Sequence, residues 1–114
     1  MGRITTHVLD TSSGRPARGV PVRLDLMMPG RGWVTLSERV TDDDGRVRDL
    51  TPAGGRIDAG VYRLTFEIAA YFAAAGRGIF FPEAAVVFEL KQPDETVHVP
   101  LLVSPYGYTT YRGS

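Results

Sequence analysis

Apolar and polar residues alternate along most of the chain, and short clusters of Gly, Pro and Asp interrupt the alternation. A period of two puts successive side chains on opposite faces of an extended backbone, so the pattern predicts many short strands. The first covers Ile4 to Leu9, with Ile4, Thr6 and Val8 on one face and Thr5, His7 and Leu9 on the other. Gly14 and Pro16 mark a loop, after which Val20 to Leu26 sets Val20, Val22, Leu24 and Leu26 opposite Arg23 and Asp25. Beyond the turn at Pro29 to Gly32, Trp33 to Val40 is expected to turn Val34, Leu36 and Val40 inward. A tight acidic turn, Thr41 to Gly45, then feeds a short segment from Arg46 to Leu50. After Gly54-Gly55, the segment from Gly60 to Ile68 alternates again through Tyr62, Leu64, Phe66 and Ile68.

The period then changes. Glu67 to Ala75 is rich in alanine, carries Ile68, Tyr71 and Phe72 at helical spacing, and meets a natural stop at Gly76. Strand signals resume at Ala84 to Leu90 and at Thr96 to Val103, and the chain ends with Tyr106 to Ser114. About eight strands and one short helix predict an all-β fold, a β-sandwich of two sheets. With 114 residues and no linker, repeat or low-complexity tract, a single domain over 1–114 is expected.

Charge and composition narrow the functions open to such a sandwich. Thirteen basic residues balance thirteen acidic ones, which argues against a nucleic-acid partner, since phosphate binding needs a surplus of cations. The absence of cysteine excludes disulfides, thiol nucleophiles and thiolate metal sites. No N-terminal apolar core and no long apolar run are present, so no membrane association is expected and the cytoplasm is the expected location. Twelve of the basic residues are arginine, and His7 and His98 are the two histidines. Chemistry near neutral pH therefore has few candidate groups.

Either histidine, with an ordinary pKa of ~6.5, can act as a general base, although a lone histidine on a strand is more often structural or merely exposed. They meet only if the first and the penultimate strand share a sheet face. Two histidines without a nearby carboxylate pattern make a weak zinc signature, and no metal is expected. The Asp42 to Arg46 stretch looks like a calcium loop, but aligning its glycine puts Val40 and Thr51 at ligand positions, so a turn with Gly45 at positive φ is the better reading. Gly14 and Gly19 have the glycine spacing of a phosphate loop, yet Val20-Pro21 stand where its lysine and hydroxyl belong. The last nine residues hold three of the five tyrosines. This points either to a terminus held in place, with Tyr111, Arg112 and the terminal carboxylate near one site, or equally to a final strand that packs its tyrosines on the sheet.

Three segments together resemble one family. Thr6-His7-Val8-Leu9-Asp10, Asp44-Gly45-Arg46, and the run from His98 to the terminal Tyr111-Arg112-Gly113-Ser114 are similar to the 5-hydroxyisourate hydrolases, the transthyretin-related proteins of purine catabolism. The segment from Tyr71-Phe72 to Phe80-Phe81-Pro82-Glu83 fits as well, so the resemblance spans the chain. The terminal tetrapeptide is its most specific element, because transthyretin lacks it. The resemblance implies a transthyretin-like sandwich of two four-stranded sheets, assembled as a homotetramer (a dimer of dimers) with active sites in a channel between dimers. It implies catalytic roles for His7, Arg46, His98 and Ser114, and substrate contacts from His7, Arg46, Tyr111, Arg112 and Gly113. The implied substrate is an oxidised purine whose six-membered ring is opened by water at a cyclic amide bond, with no cofactor. His7 or His98 would take the proton of water, while Arg46 and Arg112 stabilise the oxyanion. Two other readings stay open: a transthyretin-like carrier of a small aromatic ligand, and a sandwich that serves only as an interaction module.

Overall fold

The computed structural model describes residues 2–52 and 54–114. Nine strands and one helix are found among them: β1 (Ile4–Asp10), β2 (Arg15–Pro16), β3 (Pro21–Met28), β4 (Gly32–Val40), β5 (Arg46–Val47), β6 (Gly60–Glu67), α1 (Ala69–Ala74), β7 (Glu83–Leu90), β8 (Val97–Ser104) and β9 (Gly107–Thr110). One sheet runs β2-β1-β8-β9, with β5 also paired to β1, and the other runs β4-β3-β6-β7. The strand that alternation does not predict is β2, a two-residue piece in the expected loop at Gly14 to Pro16. The expected segment from Arg46 to Leu50 is a strand over two residues only. With β2 and β5 included, the first sheet has five strands rather than four.

The inward faces close over one apolar core. Ile4 and Val8 from β1, Val22 and Leu24 from β3, Tyr62, Leu64 and Phe66 from β6, and Val97, Val99, Leu101 and Val103 from β8 are all buried. Each set has the period of two that its segment shows in sequence. Fully burying one such side chain stabilises a fold by roughly 1.5–3 kcal/mol, so these residues set which face of each strand is inward. The helix adds Phe72 to that core. It ends where Gly76, at φ 72°, takes a left-handed conformation. The N–H groups of Gly76 and Arg77 then bond back to the carbonyls of Ala73 and Phe72, which caps the helix C-terminus.

One expectation fails. Val40 does not face inward but is 60% exposed, while Ser37 is buried. The pairing of β3 with β4 slips between Leu24 and Asp25, so that Thr35 opposes Asp25 but Ser37 opposes Leu24. Leu36 is the extra residue of a β-bulge, and one extra residue exchanges the two faces of everything that follows. Ser37 is thereby turned inward, where its hydroxyl donates to the Leu50 carbonyl at 2.6 Å. Val40 goes outward with Pro21, its partner across the ladder.

Candidate active site

The central pairing of the first sheet answers whether the histidines can meet. Strands β1 and β8 run parallel, with Thr5 opposite His98 and His7 opposite Pro100. Because Ile4, Thr6 and Val8 face the core, Thr5 and His7 face away from it, and so does His98 between buried Val97 and Val99. Both imidazoles therefore lie on the outer face of one sheet, one strand and two residues apart.

Arg46 joins them from the other edge of β1, where it is the direct partner of His7. The acidic turn holds it there. Asp42 accepts hydrogen bonds from the N–H groups of Asp44 and Arg46, both at 2.9 Å, and the Arg46 N–H is the chief reason the Asp42 carboxyl sits below its usual pKa. Gly45, at φ 74°, donates to the Asp42 carbonyl, and its own carbonyl accepts from Val8 N at 2.7 Å. A side chain at position 45 would collide with the Val8 carbonyl, so glycine is required here both for its conformation and for the close approach. The turn expected from sequence is the brace that sets Arg46 beside β1.

The C-terminal segment reaches the same face. Strand β9 pairs with β8 from Ser104↔Gly107 to Leu101↔Thr110, and the isolated bridge His98↔Gly113 keeps that register. Gly113 lies against His98, with Gly113 N donating to the His98 carbonyl at 2.8 Å, whereas Tyr111 lines a separate cavity with Val97, Val99 and Phe88. A Cβ on Gly113 would stand 2.6 Å from His98 Cδ2. Arg112 is turned the other way and pairs with Glu95 at 2.7 Å, while Ser114 is exposed one residue beyond the bridge. One copy of the chain therefore brings His7, Arg46, His98 and Gly113 together, and leaves Tyr111, Arg112 and Ser114 outside that group.

A cavity of about 300 Å³ opens there, lined by Arg3, Thr5, Thr6, Arg46, Val47, Arg48 and His98. Three guanidinium groups and an imidazole around a pocket suit a polar, anionic or oxyanion-forming ligand better than an apolar one. His98 is held below its ordinary pKa, first by burial and then by the positive charge of Arg46 and the neighbouring His7. A neutral imidazole at pH 7 follows, which is the form that accepts a proton. Among the described residues no group of three or more His, Cys, Asp and Glu is placed to hold a metal ion.

Residues 4–113 match the profile of the HIUase/Transthyretin family. The chain belongs to this family. It is 45% identical to the 5-hydroxyisourate hydrolase of Mus musculus, over 97% of this chain and 94% of that one. The solved 5-hydroxyisourate hydrolase of Klebsiella pneumoniae superposes with a TM-score of 0.84 at 40% identity, covering 100% of this chain and 94% of that one. Transthyretin from Sparus aurata superposes with a TM-score of 0.89 at 30% identity, covering 99% and 97%. Backbone shape thus does not separate the hydrolases from transthyretin within the HIUase/Transthyretin family; sequence identity does, in favour of the hydrolases. The family and the hydrolase class expected from sequence are both borne out by these relatives.

Arg3, Thr5 and Arg48 line the cavity without having been singled out in the sequence. The signal was the alternation itself. Arg3, Thr5 and His7 share one parity on β1 and just before it, as Arg46 and Arg48 do on β5 and just after it. Among the described residues no helix is long and apolar enough to cross a membrane.

Proposed function

We propose that the chain hydrolyses 5-hydroxyisourate to 2-oxo-4-hydroxy-4-carboxy-5-ureidoimidazoline in urate breakdown. In this reading it works as one domain over 1–114, as a homotetramer formed by two dimers, in the cytoplasm and without a cofactor. A single observation carries the reading. A neutral histidine and a fixed arginine, His98 and Arg46, share a polar cavity in a chain 45% identical to an enzyme of that name. Water is too weak a nucleophile to open the ring unaided, so an imidazole, His98 or His7, removes its proton as the new C–O bond forms. Attack shifts a pair of electrons onto the carbonyl oxygen, where Arg46 supplies charge and N–H donors. Breaking the ring C–N bond returns that pair, and the imidazolium gives its proton to the departing nitrogen. Tyr111, Arg112 and Gly113 bind the substrate, and Ser114 completes the catalytic set. Within one copy Arg112 is engaged by Glu95, so its part is assigned to the assembled channel.

The test uses freshly generated urate-oxidase product and protein at a small fraction of the substrate concentration. Many equivalents consumed per chain, faster than in buffer, is the expected result. A carrier would bind one equivalent at most and leave the spontaneous rate unchanged, and that outcome would overturn the proposal.

Gly113 gives a second prediction. Alanine there places a methyl group against the His98 ring, which has to shift by several tenths of an ångström. A displacement of about 1 Å at a reacting group can cost about 100-fold in rate. Gly113→Ala is expected to lose a sizeable part of that factor in kcat while its melting temperature stays close to wild type. A variant with unchanged kcat would show that the His98 position is not critical.

A further inference from the structure

His98 is gripped on two sides. Its Nδ1 lies 2.7 Å from the Thr5 hydroxyl oxygen, directly across the β1–β8 ladder. Its Cδ2 edge faces Gly113. Nε2 has no hydrogen-bond partner among the described residues, and His98 lines the cavity. The Thr5 hydroxyl also has an acceptor for its own proton, the Val97 carbonyl at 3.4 Å. A hydroxyl that donates to a carbonyl presents its lone pairs elsewhere, so it can accept the Nδ1 hydrogen. The ring nitrogen that bears the proton is set by the partner of the other nitrogen.

We propose that Thr5 is a positioning residue that holds His98 in the Nδ1–H tautomer, with the Nε2 lone pair free to accept a proton in the cavity. This rests on the hydrolase reading above and assigns the imidazole of His98, rather than that of His7, as the base with a built-in orienting partner. During water attack Nε2 gains the proton, Nδ1 keeps its own, and the Thr5 hydroxyl stays neutral. Thr5 orients the ring and stabilises the imidazolium through the Nδ1–H bond without exchanging a proton. Among the described residues His7 has no such hydrogen-bonded partner, and its neighbours across the ladders are Arg46 and Pro100.

The exchange Thr5→Val keeps the shape and strand preference of the side chain and removes the hydroxyl, whereas Thr5→Ser keeps the hydroxyl. Two readouts are needed. The first is the ¹⁵N spectrum of the histidine rings in the intact protein at about pH 8, above the ordinary imidazole pKa. Wild type and Thr5→Ser are expected to show His98 protonated on Nδ1, and Thr5→Val a mixture of tautomers. The second is steady-state hydrolysis. Thr5→Val is expected to lower kcat about 10–100-fold with KM within a factor of two, and Thr5→Ser to recover most of the loss. A wild-type ring protonated on Nε2, or a Thr5→Val protein with wild-type tautomer and kcat, would overturn the proposal. Because the spectrum needs no substrate, it tests the Thr5 contact even if the hydrolase reading itself fails.

Discussion

Asparagine in place of His98 is expected to lower kcat/KM for 5-hydroxyisourate by about 10²–10⁴-fold, the range over which a positioned acid–base group acts. Asparagine still offers polar atoms to Thr5 and leaves the backbone bridge to Gly113 in place, so the fold is not the variable. Stopped-flow absorbance gives the rate, and a thermal melt confirms that the variant is folded. The same exchange at His7 measures the second imidazole. If both variants kept near-wild-type kcat/KM, the acid–base roles would be wrong. Wild type carries a further signature. Since His98 is held below its ordinary pKa, it stays neutral at a lower pH than a free imidazole. The acid limb of kcat/KM is therefore expected below pH ~6.5.

Arg46→Gln is expected to lower kcat by about 10²–10³-fold, the usual cost of removing one donor from an oxyanion site. It also moves the pH profile in a direction fixed by charge. A cation next to an imidazole disfavours the protonated ring, and the Arg46 charge is one of the causes that lower the His98 pKa. Without it the pKa rises, His98 becomes protonated at a higher pH, and the acid limb of kcat/KM moves upward. An Arg46→Lys protein keeps the charge and loses the planar fork. It should hold the limb near its wild-type position and recover only part of the rate. A limb that stays in place in Arg46→Gln would separate Arg46 from His98.

The strand faces were legible in the sequence wherever alternation ran unbroken. Val20, Val22 and Leu24, and likewise Tyr62, Leu64, Phe66 and Ile68, are buried as their period requires. Alternation failed at Val40 because a bulge adds a residue without any mark in composition. The turn at Asp42 to Gly45 was legible because its chemistry is local: a side-chain acceptor, a glycine at positive φ and the donors between them lie within five residues. The meeting of His7 with His98 was not legible from spacing. It depends on a parallel pairing between strands over ninety residues apart in the chain, and only the family resemblance supplied it in advance. The position of Gly113 was hidden for the same reason, since it follows from the register of β9 on β8. Thr5 was placed correctly on the His7 face, but its role needs a distance that no pattern of residue types contains.

The most direct measurement follows freshly made 5-hydroxyisourate by absorbance, with wild type and a His98→Asn, Arg46→Gln double variant at the same low concentration. Decay that accelerates in proportion to wild-type protein, and returns close to the buffer rate in the double variant, is the predicted result. Wild-type decay no faster than buffer, or a double variant as fast as wild type, would contradict a hydrolytic site built on these two side chains.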